Sequence, residues 1–152
     1  MTRPLARWLA AAAVAWPLVA TAAVWERSDG HPAGWTTLVY AAASRICHQR
    51  PDRSFRTAGV QWPVCSRCSG LYLGAAAAAL MMMAGARSPR RDRLLTMVVV
   101  ASVPTAVTWV TEWLGHVPVA DLVRTAAALP LGAAIAVAIL GVANERPSRA
   151  IG

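Results

Sequence analysis

Lysine is absent from the 152 residues of this chain, phenylalanine occurs once, cysteine three times, and aspartate and glutamate together only seven times. The formal charge of +8 is therefore carried by arginine alone. A basic excess of that size invites a nucleic-acid reading, but these arginines flank apolar runs, so a positive-inside membrane topology explains them and no nucleic-acid partner is expected. No P-loop, dinucleotide fingerprint or Ser/His/Asp arrangement is present, and Cys47-His48 has no supporting residues for a protease site. There is one CxxC and no second to complete a four-cysteine zinc ribbon. No internal repeat or low-complexity linker divides the chain.

What remains is 57% apolar with a mean hydropathy of +0.44, too greasy for an ordinary soluble domain. The pattern predicts a single all-α, polytopic membrane domain in the lipid bilayer of the cell (inner or cytoplasmic) membrane. Four transmembrane spans are expected at about 8–25, 70–86, 94–114 and 119–143. Trp8, Trp25, Trp109 and Trp113 fall near the ends of apolar runs, where an amphipathic ring anchors at the headgroup level. The first run also fits a cleaved signal peptide, with Ala20-Thr21-Ala22 as the small-residue site. Between spans one and two, residues 26–69 form an outer loop. It holds a short interfacial helix over 33–46, a break at Pro51, a polar stretch over 52–62, and a helix restarting after Pro63.

The basic loop 87–93, with Arg87, Arg90, Arg91 and Arg93, is the strongest orientation signal and is expected to be cytoplasmic, with both termini. That orientation puts Cys47, Cys65, Cys68, His31, His48 and His116 on the outer side. On the third span Ser102, Thr105, Thr108, Glu112 and His116 recur every three or four residues and share a face. Arg124 on the fourth span needs a counter-ion, and Glu112 is the natural one. Met81 to Met83 are consecutive, so they face different sides of a helix and read as packing rather than as a ligand set.

The cysteines admit three readings. In the first, Cys65-x-x-Cys68 chelates a metal as a zinc knuckle does, Cys47 adds a third sulfur, and His116 or His48 completes the set. Zinc suits such donors best, and copper(I) is the softer option. In the second, the pair does thiol-disulfide chemistry, with Cys65 at a helix N-terminus and Arg67 beside it, both lowering the thiol pKa. In the third, arginines of the outer loop make an anion or polar pocket, with Arg53 and Arg67 best placed and Glu112, Arg124 and Tyr72 in its wall. A structural disulfide or small-solute transport is also open. Transport by so small a chain would need a homo-oligomer, which Gly70 and Gly74 could join as a GxxxG pair.

The segments CHQRPDRSF (47–55) and PVCSRCSGLYLG (63–74) resemble the DUF2085 family of small predicted membrane proteins, whose pattern is CHQ-x-P-x-RSF followed by P-V-C-x-R-C-x-G-x-Y-x-G. Cys47, His48, Gln49, Arg53, Ser54, Cys65, Arg67, Cys68 and Tyr72 match that pattern. Beyond it the resemblance thins to Pro104, Glu112, Gly115, Arg124 and Gly132. Val119-Ala120-Asp121 stands where members often carry asparagines. The resemblance implies a multi-span membrane protein with a cysteine motif and no established reaction.

Overall fold

The computed structural model describes residues 2–30, 33–115 and 118–144. Its helices are α1 (Thr2–Ser28), α2 (Gly34–Ser44), α3 (Ser66–Met83), α4 (Arg91–Trp113) and α5 (Asp121–Asn144). Helices α1, α4 and α5 are long and apolar enough to cross a membrane. Helix α3 is not among them, so the expected fourth span is not established by length and composition. The physical reason lies in its first turn, where Ser66, Arg67 and Ser69 dilute the apolar run. The helix begins at Ser66 rather than near Gly70 because Cys65, in an extended conformation, occupies the N-cap.

Helix α3 is nevertheless the hub of the bundle, packed against α1 on one side and α5 on the other, while α4 leans on α5. The α3–α5 seam is built from small residues. A Cβ at Gly70 would fall on the Thr125 carbonyl, one at Gly74 on that of Leu129, and one at Gly132 on that of Leu71. Such backbone proximity is what glycine permits. Thr125 Oγ1 adds a hydrogen bond to the Ser66 carbonyl (2.9 Å), and Thr105 Oγ1 of α4 donates to the Ala127 carbonyl of α5 (2.8 Å). Gly70 and Gly74, the pair expected to join a second copy, are covered by α5 of the same chain.

Helix α4 is the least covered, with Leu95, Val99, Val103, Val107 and Trp109 all exposed. Trp109 and Trp113 stack with ring centroids 6.5 Å apart.

The 26–69 segment is more structured than a loop. Thr36, Val39 and Ala43 are the buried face of α2, which packs against α1. Arg27 of α1 lies over the Tyr40 ring, 4.1 Å from its centroid, and its Nε donates to Thr36 Oγ1. After α2 come one 3-10 turn, Pro51–Arg53, and a two-stranded hairpin, β1 (Arg56–Thr57) with β2 (Val60–Gln61). The chain is mostly helical, as expected, and the hairpin lies within the polar stretch over 52–62. Its two-residue turn has positive φ at both Ala58 and Gly59, the primed geometry that suits tight hairpins.

Candidate functional site: a cluster of three thiols beside a buried ion network

Two segments 18 residues apart in sequence, on either side of the hairpin, bring the cysteines together. Cys47 follows α2, its N–H donating to the Ala43 carbonyl, and is buried with Ala43 and Val64 while Trp16 and Tyr72 pack alongside. Cys65 caps α3 and Cys68 lies in its first turn. Gln49 ties the segments to each other. It adopts a positive φ, and its Nε2 donates to the carbonyls of Tyr40 (2.9 Å) and Pro63 (2.8 Å). Gln61 Nε2 in turn donates to the Gln49 carbonyl (2.6 Å), and the Tyr40 hydroxyl to the Gln61 carbonyl (2.6 Å). Trp16 and the positioning role of Gln49 are absent from the sequence reading. Gln49 stands inside the CHQ motif, but nothing in that motif says that its amide bridges helix α2 to the segment before α3.

All three thiols are free, and their sulfurs lie within 4.8 Å of one another. Zn–S bonds of about 2.3 Å in a tetrahedral site put sulfurs roughly 3.8 Å apart, so the cluster needs only a small contraction to hold one ion. Among the described residues no histidine or carboxylate joins the three sulfurs in such a group. His48 is exposed. His31 and His116 lie outside the described residues.

The Cys65 N–H donates to Cys47 Sγ (3.2 Å). The Cys65 thiol is pulled down to about 5, first by the hydrogen bond from Cys68, with smaller help from Cys47 and the Arg67 backbone N–H, against an opposing effect of burial. Cys68 is half-buried and acts as the donor to Cys65. The trio thus favours one thiolate held by thiol donors. The expected contribution of the Arg67 guanidinium to that acidity is corrected, because the side chain turns to α4. Its Nη2 lies 3.3 Å from Glu112 Oε2 and 3.5 Å from Thr108 Oγ1.

Glu112 collects three arginines. Arg124 Nε pairs with its Oε1, while Arg67 and Arg53 (Nη1, 3.7 Å) approach Oε2. The Glu112 side chain is 6% exposed. Arg124 also donates to Asp121 (2.8 Å). The structure therefore joins Arg53, Arg67, Glu112 and Arg124 in one network. It puts Tyr72 elsewhere, edge-on to Trp16 (centroids 6.0 Å apart) beside the cysteines. Of the polar stripe on α4, Thr105 is spent on α5 and Ser102 on the carbonyl of Val99.

A family model described as "Predicted membrane protein (DUF2085)" matches residues 47–138. An uncharacterized protein of Methanothermobacter thermautotrophicus is 34% identical over 93 residues, covering 60% of this chain and 82% of the relative. An uncharacterized protein of Methanocaldococcus jannaschii is 53% identical over 36 residues, 24% of this chain and 23% of the relative. The chain thus spans about a quarter of that second relative. No solved structure matches.

Proposed function

This chain belongs to the DUF2085 family of predicted membrane proteins, and on that premise we propose that it is a multi-pass membrane protein whose three cysteines bind a metal ion, zinc by the chemistry of the donors. The observation that carries the reading is the meeting of Cys47, Cys65 and Cys68 within 4.8 Å from two separate segments. Thiolates are the active ligand form, and a trio already sharing protons and poised around one thiolate fits a soft or borderline cation. His116 follows α4 within four residues of Glu112 and is the candidate fourth ligand; water is the alternative.

In this reading α3 is the fourth span. Eighteen residues at 1.5 Å each reach about 27 Å, and with α1 and α5 on its flanks it presents less surface to lipid than the others do. The loop at 87–93 and both termini are cytoplasmic, and the sulfurs lie on the opposite side. Elemental analysis of the purified chain tests the site. About one zinc per chain, lost in a Cys65→Ser/Cys68→Ser variant, is the expected result, and metal-free protein with three titratable thiols would overturn it.

A second reading, thiol-disulfide exchange, is favoured by the acidity of Cys65. Its signature is a Cys65–Cys68 or Cys47–Cys65 disulfide formed reversibly under mild oxidant in metal-free protein. Cysteines that stay reduced under that treatment exclude it.

A further inference from the structure

The network around Glu112 has more positive charge than a structural ion pair needs. Arg53 comes from the turn after Cys47, Arg67 from between Cys65 and Cys68, and Arg124 from α5, and all three meet one carboxylate of α4. Asp121 supplies a second negative charge to Arg124. Asp52, near Arg53 (3.5 Å), is 57% exposed and shared with Arg50 (3.3 Å). Three guanidinium groups thus face two buried or half-buried carboxylates, which leaves one positive charge over. Arg67 Nε is buried with no hydrogen-bond partner, and buried donors of this kind are normally satisfied. The depth is graded: the Arg124 side chain is 9% exposed, Arg67 19% and Arg53 35%, so the network has a floor and a mouth.

We propose that Arg53 and Arg67 form a binding site for a phosphate-type oxyanion above Arg124, in which Glu112 is a resident carboxylate that the ligand displaces from Arg53 and Arg67 and that Arg124 retains. Guanidinium forks match the oxygens of phosphate in bidentate fashion. An incoming anion takes up the unspent Nε of Arg67 and the exposed edge of Arg53, while Glu112 stays with Arg124. The exchange trades ion pair for ion pair and neutralises the surplus charge. The site is independent of any metal on the sulfurs. It shares an element with them, because Arg67 stands between two of the cysteines.

The test uses the full chain in phosphatidylcholine nanodiscs, titrated with inorganic phosphate against chloride at matched ionic strength and read by thermal unfolding and calorimetry. Wild-type protein is expected to bind phosphate saturably. Arg53→Ala is expected to weaken binding about tenfold, the loss of one charge-assisted hydrogen bond, whereas Arg56→Ala, an exposed arginine outside the network, leaves it unchanged. Glu112→Gln, which vacates the acceptor, is expected to bind phosphate more tightly and to recover its lost thermal stability when phosphate is added, which a purely structural carboxylate would not produce. If that variant does not fold, the Arg53→Ala and Arg56→Ala comparison decides alone. A parallel arm in nanodiscs containing phosphatidylglycerol without free phosphate separates the sources. Stabilisation only there identifies a lipid headgroup, and stabilisation by free phosphate in phosphatidylcholine identifies a soluble ligand. No response of wild type to either source, or equal loss in Arg53→Ala and Arg56→Ala, overturns the proposal.

Discussion

Cys65 is the residue whose behaviour is most directly measurable. With its folded pKa near 5 and an unfolded value of about 8.5, the folded chain binds fewer protons than the unfolded chain between those values. Its contribution to stability is fully present above about pH 8.5 and is lost as pH falls through 5. In metal-free protein, alkylation of Cys65 should stay fast down to about pH 5, and Cys68→Ala, which removes the main donor, should move the inflection upward. A rate profile with one inflection near the ordinary thiol value in both proteins would refute this. Arg124 is the second such residue. Removing one partner from a buried pair strands the other, so Arg124→Ala should cost about 3–5 kcal/mol, whereas Arg50→Ala on the exposed loop should change the unfolding midpoint little. The pairing of Glu112 with Arg124 was legible in the sequence because an intramembrane arginine needs a counter-ion and the helix period put both near one end. The recruitment of Arg53 and Arg67 to the same carboxylate was not, since it depends on how the outer segment folds over α3. The same gap explains Gln49, whose role rests on a backbone conformation that no motif spells out.

Among the elements, α3 departs furthest from expectation. Hydrophobic runs located α1, α4 and α5 to within a few residues at most ends, because long apolar stretches bounded by arginine or proline are strong signals. Helix α3 reads as a weak span since its first turn serves the site instead of the lipid, and the hairpin at 56–61 is too short to leave an alternating pattern. Glycine substitutions test the α3–α5 seam. Gly74→Ala would push a Cβ onto the Leu129 carbonyl and should destabilise by about 1–3 kcal/mol or more. Gly34→Ala at the open start of α2, where a Cβ meets nothing, should be neutral or stabilising by about 0.4–1 kcal/mol. Thermal unfolding of both variants in detergent makes the comparison, and equal midpoints would contradict the close packing described for Gly74.

At the scale of the whole molecule, the two ends of the bundle carry different groups. One end holds the thiols and the ion network. The other holds Ala10, Ala79 and Leu140 and a cleft of about 1060 Å³ lined by Arg7, Trp8, Met82 and Met83. The proposed four-span topology predicts that a secreted-type alkaline phosphatase fused after Pro89 stays in the cytoplasm and is inactive, while maleimide added to intact cells labels Cys65; the opposite pattern would invert the orientation. The central position of α3 also bears on how the chain is made. A segment whose first turn is polar and whose apolar run is built of alanine gains its place from neighbours, and its principal neighbour, α5, is synthesised after it. During synthesis α3 therefore has α1 and the Cys47 segment to pack on before α5 arrives and closes the seam. A chain stopped after Gly115 should leave the Gly70–Gly74 face of α3 without the helix that covers it, and alkylation of Cys68 should then be faster than in the full chain.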